Sequence, residues 1–347
     1  KLTTYLVVVI CWLYIVPQMH GAALTLSIAT GFPSWVGPVI VAAVVCVTVL
    51  SGGMRSVTFV QAFQYWFKLA ALVIPTIFLL GRAIPEHSSS GHAQALYAQL
   101  ESANAMNLYE TVSIILALLF GTLGLPHVLV RFYTNPTGQA ARTTTVIVLC
   151  LLSAFYLLPT TLGVLGLLYT PELGATNETD ATILLLPSRL FEGFLGDALT
   201  AIVVGGAFAA FLSTTSGLVV SLAGALSQEF FSGTVRGFRI STVLATALPV
   251  LIAVVTNSLA LAGAIGNVFA FTASTICPLL LLGIWWRSLT ARGAVAGLLA
   301  GGISCGLSLM IGTFLPQEDE IWIHLLRQPA AWSVPLAFLV MIFVSKR

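Results

Sequence analysis

Ser213, Thr214, Thr215 and Ser216 stand in a row inside an apolar stretch predicted as one helix from about Asp197 to about Phe231. Hydrocarbon gives such hydroxyls no water to bond. A hydroxyl is also a hard, neutral oxygen ligand, able to coordinate an alkali cation stripped of its hydration shell. Successive helical residues are about 100° apart, so Ser213 and Thr214 share one edge. The carbonyl of Ala210, three residues earlier, points to the same spot if a hydroxyl or an ion loosens that turn. The same residues also fit a packing role, each hydroxyl bonded to its own i−4 carbonyl.

Other polar residues interrupt apolar stretches. Pro17-Gln18-Met19-His20-Gly21 places an amide and an imidazole beside a proline that frees a backbone carbonyl. Gln18 suits solute contact and structural hydrogen bonding equally; His20 suits the structural role. Gln61, Gln64 and Lys68 recur at helical spacing, with Lys68 about two turns from one end, where a lysine snorkels to the surface. Phe120-Gly-Thr-Leu-Gly-Leu-Pro-His-Val-Leu-Val-Arg-Phe132 packs two glycines and a proline into six residues, which defeats a continuous helix. Broken helices at the midplane are typical of ion-coupled secondary transporters.

The elements that carry these residues are spelled out by composition. Hydrophobic residues make up 58% and charged ones 7%, against roughly a quarter charged in soluble domains. Continuous apolar runs, not alternating ones, predict an all-α polytopic membrane protein and exclude a barrel. Ten spans are predicted: 3–29, 34–52, 58–82, 108–133, 143–170, 197–231, 239–257, 260–286, 293–315 and 331–345. Gly52 to Thr58 reads as a tight cytoplasmic turn. With Lys1 in the cytoplasm, ten of the fourteen basic residues fall on that side and Glu229 is the only one of the twelve acids to do so. That is the positive-inside pattern of a plasma-membrane protein. The five cysteines lie in apolar spans without metal spacing and read as small core residues. His87 and His92 read as a solvated turn, and Asn177-Glu-Thr179 as a sequon only in a eukaryote. No nucleotide loop, zinc site or Ser-His-Asp set is visible, so an enzyme is not expected, nor a nucleic-acid partner, nor an obligate protein partner.

Four stretches, in order, resemble the sodium:solute symporter family. They are Gly52-Gly-Met-Arg-Ser-Val-Thr58 with Gln61; Gly124-Leu-Pro-His-Val-Leu-Val-Arg-Phe132; Ser213-Thr214 with Ser227-Gln-Glu-Phe-Phe231; and Gly283-Ile-Trp-Trp-Arg-Ser-Leu-Thr-Ala-Arg-Gly293. The resemblance implies two five-helix repeats of inverted topology plus extra helices, with solute and ion near the midplane. It implies a sodium ion on Ala210 O and the Ser213 and Thr214 hydroxyls, with Thr215 and Ser216 left as packing residues. It implies solute contact at Gln18 and, near the broken helix, at Phe120, Gly121 and Thr122. On this reading residues 1–347 form one transporter domain in the lipid bilayer. That domain is a fragment beginning at the third core helix and lacking the first two.

The stretch from Phe120 to Arg131 and the loop Thr134–Arg142 look most like the acetate/monocarboxylate branch. The expected activity is sodium-coupled import of a small carboxylate such as acetate. Alternatives are a proline- or pantothenate-type symporter, a non-transporting sensor module, and proton coupling through His127 or Glu110.

Overall fold

A computed structural model describes residues 1–87, 105–133, 135–170, 172–173, 179–256, 261–315 and 321–346. His92 and Asn177 lie outside the described residues. The described chain is helical, without strands. In order the helices are α1 (Leu2–Thr30), α2 (Val36–His87), α3 (Ala105–Gly124), α4 (Pro126–Tyr133), α5 (Gly138–Tyr169), α6 (Thr182–Leu190) and α7 (Phe194–Phe230). They continue with α8 (Val235–Val255), α9 (Leu261–Ser274), α10 (Ile276–Trp285), α11 (Ala291–Phe314), α12 (Ile321–Arg327) and α13 (Ala330–Lys346).

Among the described residues seven segments are long and apolar enough to cross a membrane: Leu2–Thr30, Ser56–Ala83, Gly138–Tyr169, Phe194–Phe230, Val235–Val255, Gly263–Trp285 and Ala291–Phe314. The pair α12 and α13, bent by 64°, is an eighth. Val36–Gly52 and Leu108–Gly124 are shorter apolar helices at two further expected positions. The protein is thus a polytopic helical membrane protein.

Three expectations, on Gly52–Thr58, the eighth span and Cys150, need correction, while the break expected in the fourth span is present. The Gly52–Thr58 turn is not a loop: helical winding runs through it. The backbone is nevertheless pinched there, because a Cβ at Gly52 would stand 2.0 Å from Ser56 Cβ, where a straight helix keeps i and i+4 about 5–6 Å apart. The break in the fourth span is a single residue, Leu125, with Pro126 opening α4. The eighth span, expected continuous, is interrupted at Thr275 (φ −118°, ψ −80°). Of the cysteines, Cys11, Cys277 and Cys305 are buried, but Cys150 is exposed on α5.

The helices group into two compact units. One comprises Lys1–Tyr14, Ala103–Tyr133 and Ala262–Arg347. Here α11 presents Gly293, Gly297 and Gly301 one turn apart. A Cβ at Gly297 would meet Met341 Cγ at 1.9 Å, and one at Gly301 would meet Ser274 O at 1.8 Å. Small residues let membrane helices approach until their backbones touch, which is where packing attraction comes from in lipid. Thr290 starts α11 by accepting from Gly293 N at 3.1 Å, satisfying a donor the helix cannot. Ser274 and Ser333 share a buried hydroxyl bond of 2.7 Å.

The other unit comprises Ile15–Ser102 and Thr134–Leu261. Leu79, Leu162, Leu165 and Leu186 form a buried apolar cluster within it. Gly31 takes φ +69° between α1 and α2, and Gly37 then lies on the Ala22 carbonyl, where a Cβ would be 2.3 Å away. Thr137 and Thr234 cap α5 and α8 through Ala140 N and Gly237 N.

Candidate ion and solute site

Helix α7 is positioned by its small residues. Gly205 and Gly206 bring it against the Ser56–Ala83 part of α2: a Cβ at 206 would meet Ala71 Cβ at 2.4 Å, and one at 205 would meet the Phe67 ring at 3.2 Å. The two helices run antiparallel, since Gln61 on α2 reaches Ser213 on α7 while residues 67–71 reach 205 and 206. On the α1 side, Gly21 leaves room for the Phe211 ring, which a Cβ would meet at 2.4 Å.

Ala210, Ser213 and Thr214 stand at i, i+3 and i+4 and therefore form one patch. The turn they share is regularly helical, so the loosening expected at Ala210 is not a feature of this structure. Back-bonding is the habit of hydroxyls in this chain. Thr48, Ser51, Thr76, Thr160, Ser216, Ser221, Thr246, Thr272 and Thr275 each donate to the carbonyl four residues earlier. Ser213 and Thr214, both half-buried, make no side-chain hydrogen bond among the described residues. Thr215 Oγ1 is buried without a partner as well, as are the isolated Thr200 and Ser241 hydroxyls. Of the four consecutive hydroxyls only Ser216 behaves as helix glue, donating to Leu212 O at 2.7 Å.

Gln61 was not among the predicted site residues. Its Nε2 donates to Ser213 O at 2.6 Å and braces that turn from outside the helix. Its place in the Gly52–Gln61 motif was the available signal.

Gln18 is buried, one turn before Gly21 on the same face of α1, and makes no hydrogen bond among the described residues. His20 has the structural role expected: its Nε2 lies 3.2 Å from both Ala253 O and Thr256 Oγ1. A cavity of about 290 Å³ opens beside these groups, lined by Thr25, Ala71, Gly206 and Ala210 among others, with Lys68 on its wall. Lys68 lies twelve residues beyond Ser56, about 18 Å along the axis. That is about three turns from the start of this apolar segment.

The remaining predicted residues belong to the other unit. Phe120 is half-buried and meets Phe338 edge-on at 6.4 Å. Gly121 lies flush on the α9 backbone, where a Cβ would be 2.5 Å from Phe269 O. Thr122 is exposed and its hydroxyl donates to Leu118 O. Gly124 abuts the second interruption, with Thr272 Cγ2 at 2.8 Å and Cys277 N at 3.2 Å from its Cβ position. Tyr14 packs on Phe269 and His127 at centroid distances of 5.7 and 5.8 Å. Glu110 Oε1 is held 2.6 Å from His324 Nδ1. Among the described residues no group of three His, Cys, Asp or Glu side chains could hold a metal ion.

An interrupted, glycine-packed helical bundle in the membrane, with unbonded hydroxyls at mid-span, is the build of a solute transporter. The family model for the sodium:solute symporter family matches residues 2–301, and the chain belongs to that family. It is 27% identical over 371 residues to the "Monocarboxylic acid transporter" of Corynebacterium glutamicum, covering 94% of this chain and 67% of that protein. It is 28% identical over 356 residues to the "Uncharacterized symporter YwcA" of Bacillus subtilis, covering 94% and 68%.

Proposed function

We propose that the protein is a sodium-coupled symporter that imports a short monocarboxylate, acetate being the simplest. The observation that carries this is the pair of half-buried hydroxyls, Ser213 and Thr214, which break the chain's back-bonding habit beside Ala210. In this reading sodium sits on Ala210 O, Ser213 Oγ and Thr214 Oγ1, and Gln61 steadies the Ser213 turn. Gln18 contacts the solute. The name of the Corynebacterium relative supports a monocarboxylate. The basic residues support a Lys1 end in the cytoplasm of a plasma-membrane protein, with the ten apolar helices arranged as an inverted repeat. One sodium moving with one monocarboxylate carries no net charge, so the sodium concentration gradient drives uptake, and each tenfold of that gradient, about 1.4 kcal/mol, supports about tenfold accumulation.

Counterflow of labelled acetate, pyruvate and proline into proteoliposomes of the full-length protein tests this. Sodium-dependent exchange of acetate or pyruvate is expected. Exchange of proline alone overturns the solute class, and uptake driven by a pH gradient without sodium overturns the coupling. Solute binding without flux would indicate a sensor.

A further inference from the structure

Lys68 is the charged group that the sodium reading leaves without a task. Its backbone is fixed at mid-span by Gly206, whose Cβ position lies 4.0 Å from Lys68 Cα and 2.4 Å from Ala71 Cβ. The side chain lines the cavity of about 290 Å³ beside α7. Among the described residues Lys68 has no ion pair and no hydrogen bond. The other charged residue lining this cavity, Asp180, makes no ion pair with Lys68, and its Oδ2 accepts from Leu261 N at 2.8 Å. The remaining wall is aliphatic and aromatic, with Leu24, Leu72, Phe155 and Phe211 prominent. A lone ammonium in such surroundings is costly unless an anion neutralises it. With Asp180 tied to Leu261 N, one ammonium and a mostly apolar wall, in a volume at the small end for ligand pockets, match a carboxylate on a short alkyl chain. The cavity also reaches Ala210 and Phe211 on α7, so it adjoins the hydroxyl patch. Thr25, on the same face of α1 as Gln18 and Gly21, lines it as well.

We propose that Lys68 is the carboxylate-binding cation of the transporter, and that this cavity holds a short aliphatic monocarboxylate with its tail against Leu72, Phe155 and Phe211. This rests on the symporter reading above and adds to it the residue that distinguishes an acid from its neutral analogue. Lys68 and the Ala210–Thr214 patch then hold opposite partners: the lysine takes the anion and the hydroxyls take the cation. The pairing makes co-transport electrostatically favourable, since each bound ion reduces the cost of desolvating the other.

The test uses the full-length protein in proteoliposomes under a sodium gradient. Wild-type KM should fall roughly fourfold for each methylene from acetate to butyrate, as the tail is buried, and the matching amides should not compete. Lys68→Met should raise carboxylate KM at least tenfold while sodium still raises the melting temperature; Lys68→Arg should recover much of the loss. Lys68→Cys should regain uptake when labelled with a trimethylammonium thiosulfonate and not with its methyl counterpart. That pair of measurements decides the matter even if the methionine variant folds poorly. Phe155→Ala should move the preference toward longer chains. Unchanged carboxylate KM in Lys68→Met overturns the proposal alone, because wild-type uptake still stands. A lowered sodium half-saturation with unchanged KM overturns it too, since Lys68 would then be a tethered cation competing with sodium. If wild-type protein takes up no monocarboxylate under a sodium gradient, the symporter reading falls first and this one with it.

Discussion

Replacing Ser213 and Thr214 together by alanine in the full-length protein separates an ion site from helix packing. Neither hydroxyl bonds to protein among the described residues, so alanine removes no protein hydrogen bond. Folding stability should therefore stay within about 0.5 kcal/mol of wild type. Sodium binding, by contrast, loses two oxygen ligands. A hydrogen bond to a charged group is worth about 1.5–3 kcal/mol, and an ion–hydroxyl contact is taken as comparable. Two such contacts give about 3–6 kcal/mol, and water entering the gap returns part of it. A net loss of about 3 kcal/mol raises the sodium half-saturation of uptake by roughly 150-fold. A second readout is the sodium-dependent rise in melting temperature. It reflects about 2.7 kcal/mol when sodium is at 100 times its Kd, and it should vanish in the double variant. Ser216→Ala is the control, because Ser216 already donates to Leu212 O at 2.7 Å; its sodium dependence should match wild type. A double variant whose sodium half-saturation equals that of wild type would refute the reasoning, as would a Ser216→Ala shift of the same size.

Gln61→Leu removes the donor at Ser213 O. It should cost about 0.5–1.5 kcal/mol and raise sodium half-saturation roughly two- to tenfold, read in the same uptake curves. Gly301→Ala forces a Cβ to 1.8 Å from Ser274 O, a backbone atom that cannot swing aside, so about 1–3 kcal/mol should be lost in thermal melts. Gly163→Ala meets nothing within 4 Å and should be neutral or stabilising by up to about 1 kcal/mol. Glu110→Gln should leave sodium-driven uptake intact, because Glu110 is engaged with His324. Loss of uptake would assign it a proton relay instead.

Much of the fold was legible because lipid demands long apolar helices, and charge sorting needs only counting. Phe120–Phe132 announced its break because glycines and a proline fall together. The interruption at Thr275 did not, although Pro278 cannot donate to Ser274 O, and that carbonyl faces Gly301. Proline alone is ambiguous in this chain: Pro17, Pro75, Pro159, Pro249 and Pro335 all sit inside helices that continue. What separates Pro278 from them is its neighbour on α11, three hundred positions from the start of the chain, and no local pattern carries that. The hydroxyl cluster was visible as a string of residue types. Its unbonded state depends on rotamers and on Gln61, which sequence spacing cannot rank.

Gly121 on the Phe269 backbone, and Gly124 against the Thr272 methyl and Cys277 N, place the two interruptions of one unit back to back, and neither glycine puts a side chain between them. On the glycine side there are no rotamers with which to absorb a shift. When one of these joints bends, the other must slide or bend with it, so the two broken rods behave as a single scissor pivot. A transport stroke in this unit is therefore one motion and not two in sequence, and a methyl group at either glycine would lock it like a pin.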